Sequence, residues 1–232
     1  AAPPFLRPSR DAPAPPRAAG PAPALSALPG PAPGCRVAAE TAALAQCRLC
    51  AGRFAATRTA HAPRPVFQIH PEARLLIASQ APGARAHASG LPFDDPSGDR
   101  LRAWLGIGRD SFYDARRVAI VPMGFCFPGY DAKGGDLPPP RVCAGTWRAR
   151  MLALLPRIAL PLVVGHYAQR WHLGPARRQS LTETVRAFRD APDGVLPLPH
   201  PSWRNTAWLK RNPWFEAEVL PILRARVRAL IG

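Results

Sequence analysis

Four short apolar runs punctuate the chain: Leu75-Leu76-Ile77-Ala78-Ser79, Val118-Ala119-Ile120-Val121, Leu160-Pro161-Leu162-Val163-Val164 and Val195-Leu196-Pro197-Leu198. Each is nearly continuous rather than alternating, and each ends in a turn or polar cluster. That pattern predicts strands buried on both faces. Between them, apolar positions recur at helical spacing. Leu101, Trp104 and Leu105 predict a helix capped by Ser97 and stopped by Gly106, and residues 141–155 predict a second through Val142, Trp147, Met151, Leu152 and Leu155. Ser180 precedes Leu181, Val185 and Phe188 in a third. The last helix gathers Leu220, Leu223, Val227, Leu230 and Ile231 on one face, with Arg224, Arg226 and Arg228 largely off it. Strands alternating with helices predict an α/β fold, a three-layer α/β/α sandwich around a central four-stranded, mainly parallel sheet. Ligands of such sheets bind beyond the C-terminal strand ends. The loops at 80–95, 122–130 and 199–205 are therefore where chemistry is expected.

Composition divides the chain. Residues 1–34 hold 11 of its 31 prolines, mixed with Ala and Gly. Such a stretch loses a backbone donor at each Pro and has little to bury, so residues 1–37 are expected to form a disordered arm and residues 38–232 the folded domain. The chain carries 31 Lys+Arg against 15 Asp+Glu, a net of +16. In residues 1–36, Arg7, Arg10, Arg17 and Arg36 face only Asp11, a net of +3, so +13 belongs to the domain. That balance implies attraction to an anionic partner without dictating a fold. No apolar run reaches the roughly 18 residues of a membrane span, and the start lacks a signal peptide's apolar stretch. A membrane protein, a collagen and a coiled coil are excluded.

Of the five cysteines, Cys47 and Cys50 form a Cys-x2-Cys pair, and Cys126 and Cys143 follow later with sixteen residues between them; Cys35 stands apart. A lone free Cys is usually a small core residue. A tight pair in a chain without a secretory signal instead favours metal binding over disulfides. Four thiolates suit either Zn²⁺ or an iron–sulfur cluster.

The loops read Ser79-Gln80-Ala81-Pro82-Gly83 and Gly90-Leu91-Pro92-Phe93-Asp94-Asp95 after the first run, Pro122-Met123-Gly124-Phe125-Cys126 after the second, and Pro199-His200-Pro201-Ser202-Trp203-Arg204-Asn205 after the fourth. In their joint order with the cysteines, these segments resemble the uracil-DNA glycosylase superfamily over roughly residues 38–232. They are most similar to its iron–sulfur branch, often called family four. The resemblance implies a [4Fe-4S] cluster on Cys47, Cys50, Cys126 and Cys143, with structural zinc as the alternative. It implies that Phe93 stacks on an extruded base, that the backbone amides of Gln80 and Ala81 contact it, and that His200 donates a hydrogen bond to the departing uracil where negative charge develops. His87, in the first loop, is a further histidine within reach.

Two departures alter that picture. Gln80 stands where the branch has Glu, and an amide cannot take a proton near neutral pH. Asp94, Asp95 and Asp99 are the nearby substitutes, and Asp94 is the favoured catalytic carboxylate; otherwise the bond breaks dissociatively. Pro122 stands where relatives carry a uracil-reading Asn, so base selection is expected to use backbone amides around Met123 and Gly124. The His-Pro loop of relatives inserts an apolar wedge. Here Ser202, Trp203 and Arg204, followed by Lys210 and Arg211, supply a basic-aromatic patch for DNA. Trp208 and Trp214 fit helix packing at least as well.

The expected protein is a monomeric bacterial cytoplasmic, nucleoid-associated enzyme that excises uracil from DNA in base-excision repair. Two other classes compete: a binding protein of the same fold for damaged or abasic DNA with weak catalysis, and a small-molecule nucleotide hydrolase, which would not need the basic domain.

Overall fold

A computed structural model describes residues 33–232. The arm expected over residues 1–37 therefore lies outside the described residues up to position 32. Its last part does not match the expectation, because the first helix, α1, spans Pro33–Ala45. Past the proline-dense stretch, Val37-Ala38-Ala39-Glu40-Thr41-Ala42-Ala43-Leu44 has helix-forming composition, and Leu44 is fully buried.

The chain continues through α2 (Ala51–Ala55), β1 (Leu75–Ala78), α3 (Ala84–Ser89), α4 (Pro96–Leu105), α5 (Arg109–Tyr113), β2 (Val118–Ile120), α6 (Arg141–Leu152), β3 (Leu160–Val164), α7 (His166–Leu173), α8 (Leu181–Arg186), β4 (Leu196–Leu198), α9 (Thr206–Arg211) and α10 (Leu220–Ile231). The four strands form one sheet in the order β2-β1-β3-β4, and every pairing is parallel. Strand residues alternate between two buried layers. Leu75 and Ile77 pack with α4 and α10 through Leu101, Trp104, Leu223 and Val227. Leu76 faces the other way, toward Leu44 of α1 and Trp147 and Met151 of α6. This is the α/β/α sandwich the apolar runs predict.

Pro161 sits in an inner strand, where a missing N–H is usually costly. Here Leu160 donates to Arg74 on the β1 side. The vacant donor position of Pro161 therefore points to the opposite side, where β4 pairing begins only at Leu162↔Leu196. Ser180, which precedes the third expected helix, caps it in a full capping box with Glu183. The expected Ser97 cap is not: Asp95 caps α4, accepting from the Gly98 amide at 2.9 Å, and Pro96 occupies the first turn. The chain passes from β1 to β2 on one side and returns to β3 on the other, so the sheet's switch point lies at the C-terminal ends of β1 and β3.

Candidate functional site

At that switch point opens a cavity of about 380 Å³. Its walls come from every loop singled out by sequence and one more: Ser79–Gly83 after β1, Pro92, Phe93 and Asp95 before α4, Pro122 after β2, His200 to Asn205 after β4, and Asp131, Gly135 and Asp136 from the long β2–α6 connection. Backbone bonds fasten the first two loops to each other. Met123 donates to Ser79 O at 2.8 Å and Gly124 to Gln80 O at 2.9 Å. Those two amides are thereby consumed, and Met123 is buried against Ala78, Val163 and Ala168. Neither residue lines the cavity, so the expectation that Met123 and Gly124 read a base does not match the structure. The Gln80 and Ala81 amides do line it and donate to no acceptor among the described residues.

His200 stands at the end of β4. Its Nδ1 accepts the Ser202 amide at 3.2 Å, and the Asn205 side-chain amide donates to its carbonyl at 2.7 Å. An Nδ1 that accepts leaves the ring proton on Nε2, a donor. Burial pushes the imidazole's pKa down to about 4 despite the opposing pull of Asp95, so the ring is neutral at physiological pH. Gly165, at φ +80°, follows β3 beside this ring; a side chain there would lie 3.6–3.7 Å from His200 Cβ and Cδ2. The positive φ, rather than that ordinary contact distance, is what favours glycine here.

Phe93 lines the cavity with φ +56°, a conformation rarely held by an aromatic residue. The turn is locked from outside. A Cβ at residue 98 would fall 1.8 Å from the Phe93 carbonyl oxygen, so Gly98 is obligatory, and Tyr113 Oη donates to Pro92 O at 3.1 Å. Strain held by surrounding structure is characteristic of functional positions.

The carboxylates are placed differently from expectation. Asp94 does not line the cavity. It is bound by Arg109 at 3.0 Å, a contact that, together with a bond from Ser89, holds its carboxyl below the usual range. Asp95 is the one that faces inward: its Oδ1 caps α4, while its Oδ2 lies 3.6 Å from where a Gly83 side chain would begin. Asp131 accepts the Lys133 and Gly135 amides, each at 2.8 Å, and shapes its own loop. Asp136 receives no hydrogen bond or ion pair among the described residues. Desolvation, then the nearby Asp95 and Asp131, raise its pKa against the pull of Arg204. His87 turns away into an edge contact with His61 and a tilted one with Phe127.

Beside the cavity Trp203 is 71% exposed. Arg204 lies over its ring at 5.4 Å and donates to Gly134 O at 2.8 Å, tying the last loop to the β2–α6 connection. Ser202 accepts from the Arg204 amide, and its carbonyl accepts from Arg100. Lys210 and Arg211 are exposed in the last turn of α9. Trp208 and Trp214 instead pack on Phe215, within the core.

A second, almost wholly apolar cavity lies under α1, α2 and α6. Cys47, Cys50, Cys126 and Cys143 all line it, with Leu44, Phe54, Pro65, Phe125 and Trp147. Cys35 is exposed and does not. Two donors already point at sulfur: Trp147 Nε1 to Cys47 Sγ and the Phe125 amide to Cys143 Sγ, both at 3.3 Å. Burial pushes the thiols of Cys126 and Cys143 up to about 12 and about 11. Among the described residues no group of three or more His, Cys, Asp or Glu is placed to hold a metal ion. No helix there is long and apolar enough to cross a membrane.

Arg148 of α6 is fully buried. It donates to Val121 O and Pro122 O at 2.7 and 3.0 Å and pairs with His172 Nε2 at 2.6 Å. Asp95 was one of three candidate carboxylates and not the favoured one, while Asp136 and Asn205, missed as site residues, carried little signal in sequence. Asp95 adjoins Asp94, and Asp136 lies in a loop with no pattern of its own.

A family model described as "Uracil DNA glycosylase superfamily" matches residues 66–224, from the segment before β1 into α10. The chain belongs to that superfamily, which supports a glycosylase whose substrate is DNA.

Proposed function

We propose that this superfamily member excises uracil from DNA, hydrolysing the N-glycosidic bond and leaving an abasic site. One observation carries the reading: a neutral histidine with a free Nε2–H, an aromatic wall and an inward carboxylate share one cavity at the sheet's switch point. The deoxyuridine leaves the stack and its base enters against Phe93, a sequence-tolerant platform for any flat ring. Water attacks C1′ and yields its proton to Asp95 Oδ2. The C1′–N1 bond breaks, and its electron pair goes to the base, whose O2 is stabilised by the His200 Nε2–H where the charge develops. A neutral donor suits this step because it needs no proton of its own to leave. Exposed Trp203 fills the vacated stack, while Arg204, Lys210 and Arg211 track phosphates.

The cysteine cavity supports assignment to the iron–sulfur branch. Its donor set is all thiol, its walls are apolar, and N–H groups already aim at two sulfurs, the environment that tunes such clusters. Cys47, Cys50, Cys126 and Cys143 would hold a [4Fe-4S] cluster, and it would supply a cross-link between α1–α2 and α6 rather than a reactive centre.

The test is release of free uracil from single- and double-stranded oligonucleotides containing one deoxyuridine. Abasic product is the expected result. No product at high enzyme excess, with tight binding to abasic DNA, would make the protein a binding module.

A further inference from the structure

Uracil presents three hydrogen-bonding groups on its edge: the O2 and O4 acceptors and the N3–H donor. Donors are plentiful around the cavity, among them His200 Nε2–H and the unclaimed amides of Gln80 and Ala81. Among the acceptors, Asp131 Oδ1 takes two backbone amides and Asp95 Oδ1 caps α4, so each keeps one oxygen, the Ser79 and Gln80 carbonyls are taken by Met123 and Gly124, and the side-chain oxygens of Gln80 and Asn205 are uncharged acceptors. Among the described residues, the carboxyl of Asp136, an exposed residue that also lines the cavity, is the lining acid with both oxygens unengaged.

We propose that Asp136 is the base-reading residue, accepting the N3–H of the extruded uracil. The proposal rests on the uracil-excision reading and assigns the selectivity of that same cavity. A buried N3–H without an acceptor loses its water contact and gains nothing, so the site that supplies the acceptor selects for it. Cytosine, whose N3 carries a lone pair, meets the carboxylate with like polarity. The loop is held where this contact needs it: Asp131 closes the turn, Tyr130 and Asp136 bridge its two arms, and Arg204 anchors Gly134. The charged groups around Asp136 are Arg204, Asp95 and Asp131, and desolvation with the two acids favours its proton.

Single-turnover excision of deoxyuridine and of N3-methyldeoxyuridine, in otherwise identical oligonucleotides, tests this directly. The wild-type protein should favour deoxyuridine by about 10²-fold, the discrimination expected when a buried polar group is left unpaired. Asp136→Ala should slow deoxyuridine excision by a similar factor and shrink the discrimination to within roughly threefold. Asp136→Asn, which restores an uncharged acceptor, should recover about tenfold of that loss. An Asp136→Ala protein that keeps both rate and discrimination overturns the proposal. So does one in which Ala and Asn variants are equally slow yet still reject the methylated base, because the carboxylate would then act through its charge. If the wild-type protein releases no uracil from any DNA, the reaction assignment fails, and binding of free uracil against 3-methyluracil decides Asp136 separately. Preference for uracil that vanishes in Asp136→Ala upholds the role; equal binding of both bases by the wild type overturns it.

Discussion

The two cavities are built from opposite materials. The one at the strand ends is lined by loop residues whose polar groups keep free valences: the amides of Gln80 and Ala81, the Nε2 of His200, the second oxygen of Asp95 and the whole carboxyl of Asp136. The one beneath α1 and α6 is walled by Leu, Phe, Pro and Trp, and its only reactive atoms are four sulfurs. The first is lined by polar groups from several loops; the second brings together segments as distant as Cys47 and Cys143. Chemistry on a base needs accessible donors and acceptors on a rigid frame. A cross-link needs the reverse, exclusion of water around strong ligands. Between them, Arg148 of α6, the helix that carries Cys143, donates to the carbonyl of Pro122, which lines the base cavity.

The largest effect should come from the cysteine side. Cys143→Ser should abolish the broad visible absorbance expected of the purified protein and lower Tm by roughly 10 °C or more, as loss of a metal site does in a domain this size. A colourless wild-type protein with one bound zinc would redraw the comparison. Acid comes next. Burial lowers the pKa of both His200 and His172 to about 4 from 6.5. Below pH 6.5 the unfolded chain takes up protons that the folded one refuses, so stability should fall as pH drops from about 6.5 toward 4. Each group contributes on the order of 3 kcal/mol at most. Denaturant titrations across that window measure it, and a stability rising toward pH 4 would contradict the neutral-imidazole assignment.

On the polar side, His200→Ala should slow the single-turnover step by about 10²-fold or more while leaving iron content intact. A near-wild-type rate would remove His200 from the leaving-group role. Trp203→Ala should weaken binding to uracil-containing DNA by roughly 10-fold, the scale of one lost stacking platform, without changing binding of free uracil. The smallest effect separates two neighbouring acids. Asp94→Asn should leave the rate unchanged, whereas Asp95→Asn should slow it, as measured by single-turnover excision; equal losses would erase the distinction drawn from their geometry.

Much of the fold was legible in the sequence because its signals are local. Continuous apolar runs mark the four strands to within a residue or two, and the helical spacing after Ser180 marks α8. Gln80, Phe93 and His200 were legible as candidates because their loops resemble those of the superfamily, and Gln80 and His200 also lie just beyond strand ends, where α/β folds place ligands. Asp94 misled because adjacent acids look alike in sequence; the cap of α4 turns Asp95 inward and leaves Asp94 to Arg109. Met123 and Gly124 misled because a backbone amide's availability depends on a partner 44 residues away, the loop after β1.

By itself, then, the sequence determined the layered fold, the position of the reactive loops and the identity of the thiol set, all consequences of periodicity and spacing within a few residues. Tertiary structure decided which polar atoms remain unpaired. That property belongs to pairs of loops brought together by the sheet, such as Arg204 with Gly134 or Met123 with Ser79. Pairing across long separations consumes some groups and spares others, and the spared ones, Asp136 above all, are those able to meet a base.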